Sequence, residues 1–187
     1  MINKKKNHKN TNGRRILLLS ILCLFGFCLV AQVRPQRNAA QPAKSKVYLL
    51  HSDVLKKSKD NSDAQILVGD VSFRHDSIYM YCDSACFYEK TNSLEAFHNV
   101  KFVQGDTLFL YGDYLFYDGN TQLAQVRSNV RMENRTTTLT TDSLNYDRIA
   151  NLGYFFDGGT LMDEENVLTS DWGEYSPATK MSVFNYE

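Results

Sequence analysis

Asp53, Asp83, Asp113, Asp142 and Asp171 follow one another at intervals of 30, 30, 29 and 29 residues. Carboxylates at so constant a spacing could form a ladder for cations, or serve in pairs as the acid and base of a glycosidase. Neither chemistry suits the pattern. On stacked strands, neighbouring carboxylates about 4.8 Å apart would repel one another. A pair such as Asp113 with Asp118 could reach the separation of about 5 to 9.5 Å that glycoside hydrolysis needs, but its recurrence marks a structural position. An Asp side chain also accepts hydrogen bonds from backbone N–H groups two residues on and so fixes a turn. The five aspartates are therefore expected to be structural corners. His51, His75 and His98 lie 24 and 23 residues apart. They do not make up the ligand set that zinc requires and read as surface or corner residues. The chain has no G-x-S-x-G elbow, no H-E-x-x-H, no paired C-x-x-C and no phosphate-binding G-x-x-x-x-G-K-S/T. The expectation is a passive protein, with no catalytic residue, no cofactor and no metal.

The elements that carry these aspartates repeat with them. "MYCDSACF" from Met80, "LYGDYLFY" from Leu110, "LTTDSLNY" from Leu139 and "LTSDWGEY" from Leu168 each place an apolar residue three before the Asp and an aromatic four after it. "LHSDVLKK" from Leu50 is a degenerate copy with Lys57 at the aromatic position. A second marker runs in phase: "GDVSF" at Val71, "HNVKF" at Val100 and "SNVRM" at Val130. The spacing gives about four repeats of roughly thirty residues, each holding several short strands that must stack on their neighbours to complete a core. No sustained i, i+3, i+4 apolar pattern is present, so the body is all-β. Alternate residues of a strand share a face, which predicts one continuous inward lining. Its members are Val71, Phe73, Met80, Phe87, Val100, Phe102, Leu110, Leu115, Tyr117, Val130, Met132, Leu139, Leu144, Tyr146, Leu168 and Tyr175. The eleven tyrosines and Trp172 suit strands for their apolar bodies and wet tips, and the same chemistry would let them stack on sugars at a rim.

A chain of 187 residues holds one domain with a real core. Its 21 basic and 21 acidic residues balance only because Lys4, Lys5, Lys6, Lys9, Arg14 and Arg15 precede the first apolar run. The rest carries 15 basic residues against 21 acidic ones, which argues against a nucleic-acid or anionic-membrane partner. The basic start, the sixteen residues "ILLLSILCLFGFCLVA" and the small Ala31 have the parts of a secretory signal over 1–31, cleaved or kept as an anchor. Cys28 follows the bulky Phe27, unlike an acylated lipoprotein cysteine. Residues 32–46, "QVRPQRNAAQPAKSK", read as a polar linker. Cys82 and Cys86 would lie about 13 Å apart on one straight strand, beyond disulfide reach unless the chain turns between them.

The stretch "GDVSFRHDSIYMYCDSACFYEKTNSLEAFHNVKFVQGDTLFLYGDYLFYDG", with "LTTDSLNYD" and "LTSDWGEYSP" beyond it, resembles the OstA-like family, named for organic solvent tolerance. The resemblance covers 47–187. It implies an open, twisted β jelly-roll whose apolar groove, lined by the residues named above, shields the acyl chains of lipopolysaccharide on the way to the outer membrane. It also implies a periplasmic location in a Gram-negative cell, at either membrane, and edge-to-edge joining with other β jelly-roll transport components. Phe87 stands where other units have Tyr. Gly173 stands where Ala85, Leu115 and Leu144 would face the groove. Two other readings use the same residues: an exported β-solenoid with a filled core, and a carbohydrate-active enzyme on that scaffold. The final run "MSVFNYE", 181–187, has no polar cap or breaker. It is expected either to continue in a longer chain or to pair with a β-rich partner or a second copy head to tail.

Overall fold

The computed structural model describes residues 45–58 and 63–185. The expected signal at 1–31, and all of the expected linker but Ser45 and Lys46, lie outside the described residues. The described chain forms thirteen antiparallel strands in one open sheet. They are β1 (Tyr48–His51), β2 (Val54–Lys57), β3 (Gln65–His75), β4 (Ile78–Tyr88), β5 (Ser93–Gln104), β6 (Leu108–Asp118), β7 (Leu123–Asn134), β8 (Thr137–Asp147), β9 (Leu152–Phe155), β10 (Gly159–Met162), β11 (Val167–Ser170), β12 (Trp172–Ser176) and β13 (Met181–Asn185). The all-β class and the open jelly-roll-like sheet expected from sequence are what the chain adopts.

The six strands from β3 to β8 are 11 or 12 residues long, where the sequence suggested several short strands in each unit. The difference lies in how each is bent. On β3, β5 and β7 the bend is a pair of residues with positive φ: Gly69 (83°) with Asp70 (41°), His98 (60°) with Asn99 (49°), and Ser128 (62°) with Asn129 (54°). On β4, β6 and β8 a single aspartate, Asp83, Asp113 or Asp142, lies opposite such a pair. Two residues against one is a β-bulge, which turns the strands without ending their ladder. The left-handed backbone explains the recurring Gly, Asp or Asn before Val, since these types tolerate it best. The marker before Val71, Val100 and Val130 is therefore a bend in mid-strand.

Because the bends align, the sheet folds along one line into two leaves. The first leaf holds β1, residues 71–75, 78–82, 100–104, 108–112, 130–134 and 137–141, then β10 and β11. The second holds β2, residues 65–68, 84–88, 93–97, 114–118, 123–127 and 143–147, then β9, β12 and β13. Short turns at 76–77, 105–107 and 135–136 close the free margin of the first leaf. Four-residue turns at 89–92, 119–122, 148–151 and 177–180 close that of the second, each ending in a positive-φ residue: Asn92, Gln122, Asn151 or Lys180.

Candidate functional site

The space between the leaves is the one feature the fold is built around. Fifteen of the sixteen residues expected to face inward are buried together in a single apolar cluster, none above 6% exposure. Leu168 is the exception. It is 42% exposed, because among the described residues β11 is the last strand of its leaf. Rings from opposite leaves meet at the centre. Phe102 lies edge-on to Tyr117 and to Tyr146, with centroids 6.1 Å away in both cases, and Phe73 lies 5.5 Å from Phe87. Gly173 leaves no gap, since a Cβ there would sit 2.6 Å from Phe184 and 2.8 Å from Phe155. In this conformation the protein's own side chains fill the interior.

What closes the mouth is polar. Tyr117, Tyr146 and Tyr175 stand on the second leaf near its margin and reach the last residue of β3, β5 and β7 on the first. The Tyr117 hydroxyl is 2.6 Å from Nδ1 of His75. That of Tyr146 is 3.3 Å from Gln104 Oε1 and 2.5 Å from Asn151 Oδ1. Asn134 Nδ2 donates to the Tyr175 hydroxyl at 3.2 Å and to the Pro177 carbonyl at 2.9 Å. These three latches recur in step with the sequence repeat. At the level of Phe87, which has no hydroxyl, the chain before β1 takes over: Asn92 accepts from Val47 N at 2.8 Å and donates to Ser45 O at 3.1 Å, and Ser45 Oγ bonds His75 Nε2. Arg148 adds a clamp, 3.4 Å from Asp76 of the opposite margin.

The electrostatics keep the latches neutral. Burial lowers the pKa of His75 despite the nearby Asp76 carboxylate. A neutral imidazole can then accept from Tyr117 at Nδ1 while donating from Nε2 to Ser45. Burial pushes the Tyr146 phenol up to about 12 and raises that of Tyr117 as well. Both remain protonated donors in any ordinary buffer.

His75 is fully buried at the mouth, not a surface or corner residue as its type and position suggested. Gln104 and Asn134 were not anticipated. Their signal was present all the same: His75, Gln104 and Asn134 end successive odd strands 29 and 30 residues apart. The aspartates sit at the bends, but with different partners from those expected. Asp83 and Asp113 accept from the side-chain amides of Asn99 (2.8 Å) and Asn129 (2.6 Å). The turn-fixing bonds from backbone N–H are accepted instead by Asp118 from Asn120 (2.8 Å), by Asp147 from Ile149 (2.8 Å) and Ala150 (2.9 Å), and by Asp163 from Glu165 (2.9 Å) and Asn166 (2.7 Å). Asp53 and Asp171 lie in the breaks between β1 and β2 and between β11 and β12. Cys82 and Cys86 are both free thiols. Cys82 joins the buried cluster, with its pKa pushed up to about 11 by desolvation, whereas Cys86 alternates with the inward Ala85 and Phe87 and faces out. Among the described residues no group of three or more His, Cys, Asp or Glu is placed to hold a metal.

Residues 44–187 match a family described as OstA-like protein. Among solved structures the chain is similar to LptH from Pseudomonas aeruginosa, described as the LptA homologous periplasmic component of the conserved lipopolysaccharide transport device. The TM-score is 0.54 at 17% identity, covering 59% of this chain and 82% of that one. At that identity the likeness is one of fold. No curated protein matches.

Proposed function

The chain belongs to the OstA-like protein family, and we propose that it is a periplasmic carrier that holds the acyl chains of lipopolysaccharide between its two leaves and leaves the sugars in water. The observation that carries the reading is the mouth. A continuous apolar interior is shut along one side by side-chain hydrogen bonds, while along the opposite side β3 to β8 run through their bends from one leaf to the other. Such an interior can part without losing a strand.

The energetics agree. The second leaf is ten strands wide, so its interior runs roughly 43 Å at about 4.8 Å per strand, nearly three times the ~15 Å half-thickness of a bilayer's hydrocarbon core. Three latches contribute about 1 kcal/mol each. A buried acyl chain gains about 0.8 kcal/mol per methylene, so a dozen methylenes outweigh the latches several-fold. The rings that now pack on one another would pack on the chain instead, at small net cost. A lining repeated at each level would bind a chain about equally well at every step, which permits movement along the interior. Direction would come from other components.

The rival reading is a permanently filled core, favoured by the ring contacts between leaves. Photo-crosslinking in cells separates the two. A photoreactive residue at Phe102 or Leu115 should label lipopolysaccharide, and one at the outward Gln125 of the second leaf should not. Equal labelling at all three, or none at the inner two, defeats the carrier reading. Among the described residues no strand pairs beyond β11 and β13 at one end or beyond β1 and β2 at the other, and such edges suit edge-to-edge pairing with other β-rich carriers or a second copy. Light scattering across a concentration series tests for self-association.

A further inference from the structure

The outer surface of the first leaf carries a pattern that the interior does not use. Following the strand pairing, one row of outward residues reads Tyr81, Lys101, Tyr111, Arg131, Thr140, Thr160. A neighbouring row includes Tyr48, Arg74, Tyr79 and Phe109. Aromatic rings and cations therefore alternate over adjacent strands. The Arg131 guanidinium lies 4.3 Å from the centre of the Tyr111 ring and is paired with Glu133. The Lys101 ammonium is 5.6 Å from the Phe109 ring and 5.9 Å from that of Tyr111, and Arg74 is 6.0 Å from Tyr48. Such contacts hold rings and charges in place before any ligand arrives. Among the described residues neither Lys101 nor Arg74 makes an ion pair.

The first of these rows runs into a cleft of about 510 Å³ beside the bend, whose lining includes Asn129, Arg131, Thr140, Thr141, Asp142 and Thr160. Hydroxyls, an amide, a guanidinium and the two carboxylates of Asp142 and Asp157 in a hollow of that size suit a small, densely hydroxylated ligand better than an acyl chain. Aromatic rings offer flat faces for the C–H side of a sugar ring, and unneutralised cations offer partners for an acidic substituent. The charge is local, since the chain beyond its basic N-terminal region carries 15 basic residues against 21 acidic ones. The carboxylates of Asp142 and Asp157 in the cleft favour hydroxyls there and leave the acidic groups to the Lys101 side.

We propose that the outer face of the first leaf, from Tyr81 to the cleft at Thr160, binds an oligosaccharide that carries phosphate or carboxylate groups, either as the headgroup of a glycolipid or free in solution. The site is separate from the interior, and its test does not depend on acyl-chain binding. The ligand is the phosphorylated oligosaccharide released from lipopolysaccharide by complete deacylation, titrated into the protein and followed by amide chemical shifts. Saturable shifts should appear on β4 to β7. The affinity should fall roughly tenfold or more for the dephosphorylated oligosaccharide, and similarly in Tyr111→Ala and Lys101→Gln. Lys101→Gln removes a partly exposed charge and keeps the test valid if Tyr111→Ala does not fold. Weaker binding by these variants, with Phe102 crosslinking unchanged, supports the site. No binding of the deacylated form, equal binding of the dephosphorylated form, or full affinity in both variants overturns it. If intact lipopolysaccharide binds while its deacylated oligosaccharide does not, the affinity belongs to the acyl chains and the proposal fails.

Discussion

Tyr146→Phe removes a latch while keeping the ring that packs edge-on against Phe102. The hydroxyl contacts Gln104 Oε1 at 3.3 Å and Asn151 Oδ1 at 2.5 Å and is buried with its ring. The phenol has one proton to donate, and losing it while its amide acceptor is left unsatisfied sets a loss of about 1 to 2 kcal/mol. For a domain of this size that lowers Tm by roughly 4 to 8 °C. If the latch must break for the leaves to part, the same energy raises the open population by a factor of about 5 to 30. The assay is uptake of a fluorescent lipid A analogue by stopped flow, beside thermal unfolding of the same sample. The variant should melt lower and take up lipid faster, and Tyr175→Phe should do likewise to a smaller degree, since the Tyr175 hydroxyl accepts from Asn134 Nδ2, which keeps its bond to the Pro177 carbonyl at 2.9 Å. A lowered Tm with unchanged uptake would show that the latches only stabilise the fold. An unchanged Tm would refute the energetic reasoning itself.

Three further outcomes follow from the same contacts. Because burial lowers the pKa of His75 in the folded state, the unfolded chain binds the proton more readily. The stability from a neutral His75 is therefore present at pH 8 and lost as pH falls through about 6.5 and below. Tm measured from pH 8 to pH 5 should decline more steeply in the unaltered protein than in His75→Gln, and parallel slopes would exclude the effect. Gly173→Ala places a methyl 2.6 Å from the Val183 carbonyl and 2.8 Å from Phe155. It should cost about 1 to 3 kcal/mol and speed hydrogen exchange in β13, so unaltered exchange there would contradict the packing. Asp147→Ala, which strips two backbone N–H groups of their acceptor, should lower Tm more than Asp113→Ala, which loses one exposed amide contact; the reverse order would restore the corner carboxylates to the turn-fixing role.

The sequence by itself determined the elements and their facing. Alternation of apolar and polar residues is a local property of an extended chain, so Val100 and Phe102, or Leu115 and Tyr117, could be assigned inward without knowing what they meet. The recurring Gly-Asp, His-Asn and Ser-Asn pairs likewise marked positions of special backbone, because left-handed φ is a preference of the residue itself. A bulge that bends a strand and a turn that begins one draw on the same residue types, so the marker alone does not tell the two apart. The tertiary structure alone decided the rest. His75, Gln104 and Asn134 meet tyrosines 41 or 42 residues further on, and residues so far apart come within hydrogen-bond reach only once the sheet has folded along its bends. The fold also decided that Gly173 is covered by Phe155 and Phe184, that Cys82 faces in while Cys86 faces out, and that Leu168, like Leu50 at the other end, is exposed although Met80, Leu110 and Leu139 at the same place in the repeat are buried. In each case the outcome depends on what the neighbouring strand or the opposite leaf supplies, and no pattern within a single strand carries that information.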